Sequence, residues 1–330
     1  MEQWSLGHEY PSLHCSNVPP VQPMGNNLIK QIRKGDIRAL ASLMSLIEDG
    51  DPKVKNVLKA IYPFTGKAHV IGVTGAAGTG KSTLVDRMTA QYRQRRKAVG
   101  ILAVDPTSLF STGALLGDRV RMRNHFADDG VFIRSFATRG SSGGVSAAVR
   151  KAIHLLDAAA KDVIFIETIG VGQDQLEIAA LAHMVVVVLT PQMGDEVQAM
   201  KAGLAEIADI LVVNKTDLSG ADETVQQLKG LFADEDFHIL ATSALQNQGI
   251  DALVNRIEEH RKESLDNGKY QRRRLSLAHH ELLSLLREKV FAELAKKIGD
   301  DALEAQVKRI AERRIDPYGA VDKLARVIGL

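Results

Sequence analysis

Seven short runs of β-branched and aliphatic residues punctuate the middle of this chain, and helix-length stretches separate them. They read HVIGVTG, AVGILAVD, VFIRSF, DVIFIET, MVVVVLT, DILVVNK and FHILATS. Continuous apolar runs of this kind suit strands buried on both faces, and intervening helices make the sheet mostly parallel. Right-handed crossovers then bring the C-terminal ends of the strands to one edge, where such sheets bind ligands. The expected fold class is α/β, with three layers and a mostly parallel central sheet.

The flanks read differently. Residues 1–25 hold Pro11, Pro19, Pro20 and Pro23 with few aliphatics, a flexible lead-in. Residues 26–66 form a helical extension, with LIKQIRKGDIRALASLMSLIEDG at helical spacing and a break at Asp51-Pro52. The strand-bearing core occupies 67–268, and residues 269–330 form a C-terminal helical arm. After NGKYQRRR the arm reads as three helices from residue 275, the last following Asp316-Pro317. Leu275, Leu282, Leu285, Leu286 and Phe291 make a stripe that needs a partner, either the core or a second subunit.

Composition narrows the setting. A formal net charge of +2 argues neither for nor against nucleic acid. The runs RQRRK and QRRR lack interleaved aromatics, so they read as solvated helix or linker, and no nucleic-acid partner is expected. The single Cys15 excludes an internal disulfide framework. With no signal-like start, and no apolar run longer than Met184–Leu189, the expectation is a cytoplasmic protein without membrane contact.

The strongest motif is GVTGAAGTGKST, where Gly75-x-x-x-x-Gly80-Lys81-Ser82 leaves a strand and opens a helix. That context defines a phosphate-binding loop and places the core among P-loop NTPases. The expected cradle is Gly75, Ala76, Ala77, Gly78, Thr79, Gly80, Lys81, Ser82 and Thr83. Its glycines let successive N–H groups face a phosphate, Lys81 reaches the β- and γ-phosphates, and Ser82 can ligate Mg²⁺.

Base identity is written in VVNKTD, at the end of a later strand. Asn214, Lys215 and Asp217 have the spacing that suits guanine: Asp217 can accept from N1–H and the exocyclic amine, and the Lys215 stem can cover a base face. Adenine would set an acceptor against that carboxylate. In ATSALQNQGI, a backbone N–H of Ser243, Ala244 or Leu245 can donate to guanine O6. GTP and GDP with Mg²⁺ are the ligands expected.

Three acids remain. Asp105, in ILAVDPTS, reads as a holder of a Mg²⁺-shell water, a positioner of the attacking water, or a turn-forming Asp before proline. Asp118, in ALLGDRVRM, reads as a helix cap. Glu167 stands in VIFIETIGVGQDQ, where nucleotide hydrolases usually carry Asp-x-x-Gly followed directly by Gln. Its longer side chain can reach Mg²⁺ or the γ-phosphate water. The first Gln comes only at Gln173, after Gly170 and Gly172, so slow intrinsic hydrolysis is expected. A metal site from His8, His14 and Cys15 is disfavoured for want of a second cysteine.

These motifs, with GALLGDRVRM, IRSFATRG, ETIGVGQ, GDEVQAMKAG and IDPYGA, closely resemble the methylmalonyl-CoA mutase-associated GTPases of MeaB and ArgK type, from about Leu28 to the C-terminus. The chain departs from that family's usual pattern at Thr107, Leu109, Thr112, Asp174, Gln175 and Gln192, all in switch segments. The resemblance implies that Lys81, Asp105, Asp118 and Glu167 serve catalysis and that Ser82, Asp105, Asp118 and Glu167 surround Mg²⁺. Three mobile switches are implied, at Asp105–Asp118, Glu167–Gln175 and Gln192–Lys201, and the arm is implied to dimerise the chain. The implied partner is an adenosylcobalamin-dependent acyl-CoA mutase, whose cofactor loading, protection and reactivation the GTPase gates. Two other readings stay open: a kinase linked to lysine/arginine/ornithine transport, which the guanine motif disfavours, and a metal-insertion GTPase.

Overall fold

Each apolar run becomes a strand: β1 (His69–Thr74), β2 (Val99–Asp105), β3 (Val131–Ala137), β4 (Val163–Thr168), β5 (Met184–Leu189), β6 (Ile210–Val213) and β7 (His238–Ala241). The computed structural model describes residues 26–105, 125, 127–137, 144–168, 174–191, 203, 206–232, 238–327 and 329. All strand pairings are parallel, in the order β3-β2-β4-β1-β5-β6-β7. The seven C-terminal ends therefore share one edge.

Successive residues of a strand face opposite sides, and both sides are covered. Around the sheet lie α1 (Asn26–Arg33), α2 (Ile37–Glu48), α3 (Val54–Ile61), α4 (Lys81–Gln94), α5 (Gly144–Ala158), α6 (Asp174–Ala179), α7 (Ala221–Leu231) and α8 (Ile250–Asp266). Ile71, Val73, Ile101, Phe165, Val186 and Val188 pack with Leu84, Met88 and Tyr92 of α4 and Leu253, Val254 and Ile257 of α8. Val70, Leu102, Ile164, Ile166, Val185 and Val187 pack on the other side with Leu40 and Met44 of α2, Ile61 of α3, Leu156 of α5 and Leu228 of α7. Each such side chain contributes about 1.5–3 kcal/mol on burial, which is why the runs admit so few polar residues.

The N-terminal helices are tied in by charge as well as packing. Asp36 caps α2 by accepting from the Ala39 N–H at 2.9 Å. Buried Asp157, near the end of α5, accepts from the Gly66, Lys67 and Ala68 N–H groups and so fixes where β1 starts. Arg134 of β3 pairs with Glu48 at the end of α2.

The arm comprises α9 (Lys269–Ile298), α10 (Asp300–Ala311) and α11 (Pro317–Val327). Thirty residues make α9 about 45 Å long, and none of its side chains is buried. It meets the core where His154 of α5 and Glu281 hydrogen-bond at 2.9 Å. Leu282 is 65% and Phe291 72% exposed, and Leu275, Leu285 and Leu286 are exposed with them. Of the two partners the stripe could have had, the core does not cover it among the described residues.

Candidate functional site

At the end of β1 the chain turns through Gly75–Gly80 before α4 begins, so the first-turn N–H groups of α4, which a helix cannot bond internally, lie at this loop. Two of its glycines are fixed by geometry. Gly75 has φ +144°, and a Cβ there would stand 2.2 Å from the Val188 carbonyl oxygen. Gly80 has φ +90°, and its Cβ would stand 2.5 Å from the Asn214 amide nitrogen. The loop thus lies against β5 and the turn after β6, too close for a side chain. Lys81 folds back over it, donating to the Gly75 and Ala76 carbonyls at 2.8 Å each. The Thr79 hydroxyl donates to the Ala76 carbonyl at 3.0 Å. Ala77 and Gly78 are exposed at the loop's tip, and Thr83 lies in the first turn of α4.

Glu167 comes beside this loop through register. It is aligned with Val73 of β1 and Ala103 of β2, and only 4% of it is exposed. The Ser82 hydroxyl on α4 donates a hydrogen bond to its Oε1. One residue on, the Thr168 and Thr74 hydroxyls pair at 3.2 Å. A hydroxyl and a carboxylate therefore meet beside the P-loop, a hard-oxygen donor set that fits Mg²⁺. Asp105 ends β2 two residues past Ala103, which puts its backbone at the same edge. The Asp105 side chain, Asp118, Gly170, Gln173 and Lys201 lie outside the described residues, as do His8, His14 and Cys15.

His125 follows the segment that contains Asp118. It is buried against α4, with its Nε2 3.3 Å from Asp86 Oδ1 and 3.2 Å from the Asp86 carbonyl oxygen. Hydrogen bonding to the Asp86 carboxylate raises its pKa above the usual imidazole value. The contact joins His125 to the helix carrying Ser82.

At the end of β6, the Asn214 side chain is spent on the protein. Its Nδ2 donates to the Thr79 carbonyl at 2.8 Å, and its Oδ1 accepts from the Ala244 N–H at 3.0 Å and the Thr242 hydroxyl at 3.1 Å. One buried amide thus joins the P-loop, the β6 turn and the β7 turn. Lys215 follows in the left-handed region at φ 62°. Asp217 is exposed, and its Oδ1 accepts from the Ser243 hydroxyl at 2.5 Å. Of the three N–H groups considered for guanine O6, that of Ser243 goes to the Gln248 carbonyl and that of Ala244 to Asn214, while Leu245 is exposed. Arg87 of α4 adds a second tie, from its Nε to the Ala244 carbonyl at 3.0 Å.

The edge therefore joins a P-loop to an Asn-Lys-x-Asp turn through one asparagine, with Ser82 and Glu167 in contact beside it. The family profile described as methylmalonyl-CoA mutase-associated GTPase MeaB matches residues 40–298. The chain belongs to the MeaB family. A protein of Pyrococcus abyssi named as a GTPase is 42% identical over 92% of this chain and 97% of its own length. GTPase ArgK of Escherichia coli is 32% identical over 74% of this chain and 78% of its own. A crystal structure of an LAO/AO transport system kinase has a TM-score of 0.68 at 26% identity, covering 92% of this chain and 97% of that one. The all-parallel sheet, the P-loop and these relatives make the protein a MeaB/ArgK-type, GTP-binding P-loop GTPase. Among the described residues, no helix is long and apolar enough to cross a membrane.

The sequence reading missed the ties that hold this edge together: Asn214 to Thr79, Arg87 to Ala244, Thr74 to Thr168 and His125 to Asp86. Each joins residues distant in sequence, and no local pattern announces such a pair.

Proposed function

We propose that this MeaB-family GTPase is a chaperone that couples GTP hydrolysis to adenosylcobalamin loading, protection and reactivation in an acyl-CoA mutase of the methylmalonyl-CoA type. The observation that carries the reading is the match of residues 40–298 to a family described by its association with that mutase.

In this reading the backbone of Gly75 to Thr83 cradles the β-phosphate, and Lys81 swings from the Gly75 and Ala76 carbonyls to the β- and γ-phosphates. Ser82 and Glu167 would hold Mg²⁺, with Asp105 and Asp118 as the further acids; the ion supplies neutralisation of charge on the β- and γ-oxygens. Asp217 accepts from N1–H and the exocyclic amine of guanine, with the stem of Lys215 over the ring. Leu245 offers the N–H for O6, since those of Ser243 and Ala244 are already given away. Asn214 serves the nucleotide indirectly, by holding the phosphate loop and the base loop at a fixed separation. With no Gln directly after Gly170, hydrolysis is slow alone, and the partner supplies the missing contacts, worth about 10³- to 10⁵-fold in other GTPases. The switch ending at Lys201 communicates with the mutase, and the arm from residue 269 joins two copies of the chain.

The test is co-purification of a cobalamin mutase from the host in a GTP-dependent way, followed by phosphate release with and without that mutase. Absence of both capture and stimulation rejects the chaperone reading. The likeness to a structure described as a transport-system kinase keeps a second reading in view. Incubation with γ-labelled GTP separates the two, since label transferred to protein, rather than released as phosphate, favours the kinase.

A further inference from the structure

At the opposite edge of the sheet, where the strands begin, a cavity of about 400 Å³ opens between the core and the base of the arm. That volume lies within the usual range for small-molecule sites. Its walls come from the start of β1, the residues before β5, the chain leading into β6, the end of α8 and the first turns of α9. None of these residues belongs to the nucleotide edge.

Two independent features mark a built site. The first is His69, which lines the cavity with only 1% of its surface exposed and an Nδ1 that has no hydrogen-bond partner among the described residues. Leaving a buried polar atom unpaired costs about 1–3 kcal/mol, which a ligand group would relieve. The His69 ring stacks on His183 at 6.2 Å, and His183 meets Tyr270 at 5.0 Å, so one wall is aromatic. Burial, reinforced by Arg261, holds His69 well below the usual imidazole pKa, and burial with Arg274 and its neighbours brings His183 down to about 4. Both rings are therefore neutral at pH 7.

The second feature is unspent positive charge. Arg261, Lys269, Arg272 and Arg273 line the cavity against Glu206 and Asp209. Asp209 is committed already: its Oδ2 accepts from the Val185 N–H at 2.9 Å, and its Oδ1 faces Lys269 at 3.4 Å and His260 at 3.6 Å. Arg273 is spent on the Ala179 and Ala182 carbonyls. Among the described residues, Arg261 reaches only the Lys67 carbonyl, at 3.4 Å, and the exposed Arg272 guanidinium has no hydrogen bond or ion pair. Two guanidiniums with so little to bind suit an oxyanion, which they can hold through paired N–H groups.

We propose that this cavity binds a small metabolite bearing an oxyanion, a phosphate monoester or a carboxylate, held by Arg261 and Arg272 beside the unpartnered Nδ1 of His69. A ligand there touches both the arm and the Glu206–Asp209 stretch that leads into β6, a placement suited to an effector distinct from the nucleotide.

Calorimetric titration of the full chain, first saturated with GDP to fill the P-loop, tests this with inorganic phosphate and with malonate. The expected result is saturable binding of at least one anion, weakened tenfold or more in Arg261→Gln/Arg272→Gln. The His69 and His183 ring resonances should move during the same titration, and the tighter anion identifies the oxyanion class. The single variant Arg272→Glu, at an exposed position, should show the same loss with unchanged GDP affinity and melting temperature, which separates lost binding from lost folding. Absence of heat and of ring shifts with both anions to about 10 mM, where a millimolar site is roughly nine-tenths filled, overturns the proposal. Affinity unchanged in the double variant overturns it equally.

Discussion

Replacing Asn214 with alanine tests whether the nucleotide edge is held together by one side chain. Asn214 is 1% exposed, and its amide makes hydrogen bonds to Thr79, Thr242 and Ala244, between 2.8 and 3.1 Å. Alanine removes all of them and leaves a carbonyl, a hydroxyl and an N–H without that partner. At about 1 kcal/mol for each bond the loss is about 3 kcal/mol, and more if no water reaches the orphaned groups. At about 2.1 cal/mol/K per residue, a chain of 330 residues shifts its melting temperature by about 1.5 °C for each kcal/mol, so a fall of about 4 °C or more is expected. The assay is calorimetric melting of the nucleotide-free variant, beside affinity for a fluorescent GDP analogue. The control is Asp217→Asn, at an exposed position where the new side chain can still accept from Ser243. It should change stability by about 0.5 kcal/mol or less while losing preference for guanine. If Asn214→Ala melts with the parent and loses only nucleotide affinity, the asparagine is a ligand of the base and the staple argument is wrong.

Two further expectations concern the other edge and the arm. The His183 Nδ1 accepts from the Val70 N–H at 3.0 Å, a bond that protonation of Nδ1 would destroy, and burial brings its pKa down to about 4. An unfolded imidazole takes up its proton near 6.5, so the unfolded state gains protons first; stability complete above pH 6.5 should drain as pH falls towards 4. The displacement corresponds to about 3 kcal/mol from this ring, and melting temperature against pH should be visibly flatter for His183→Asn. For the arm, Leu282→Glu with Phe291→Glu places charge on the exposed stripe of α9. If the arm joins two copies as proposed, sedimentation velocity should find a monomer of unchanged helicity where the parent is a dimer, and an unaltered sedimentation coefficient would show that this stripe is not the joint.

What could be read from the sequence was whatever is local and periodic. The seven strands follow from continuous apolar runs, and the P-loop from glycine spacing ahead of a helix. Breaks without such a signal were missed. α1 ends and α2 begins around Gly35, at φ 74°, whereas the sequence offered only Asp51-Pro52 as a break in the extension. α9 starts at Lys269, six residues before the apolar stripe, because Lys, Tyr, Gln and Arg sustain a helix without displaying a face. Its start is instead set by Gly268, at φ 72°, and by the Asn267 side chain, which accepts from the Lys269 N–H at 2.9 Å. The cavity histidines illustrate a deeper limit. His69, His183 and His260 are far apart in the chain, and only the parallel pairing of β1 with β5 brings the first two ring to ring.

Glu167 poses the remaining question: why should a strand as apolar as β4 carry a buried acid one residue before its end? Burying a carboxylate is unfavourable unless its partners compensate, and an apolar side chain of similar volume would often stabilise as well or better. The contact with Ser82 is therefore a poor reason for stability alone to keep Glu167 there. The acid is aligned with Val73 and Ala103, next to the strand that feeds the P-loop, so its carboxylate reaches a hydroxyl in the first turn of α4 from a fixed base. Aspartate on the same backbone would fall short by one methylene, about 1.5 Å, which explains an acid longer than P-loop proteins usually carry here. Glutamine keeps the length and can still accept from Ser82, but carries no charge. Glu167→Gln should accordingly melt within about 1 kcal/mol of the parent, or above it, and bind GDP with similar affinity. Its GTP hydrolysis, and the Mg²⁺ dependence of its GTP binding, should fall at least tenfold. A variant that lost stability while hydrolysing GTP normally would make Glu167 a structural residue, and the Ser82 contact would then have to be explained as packing.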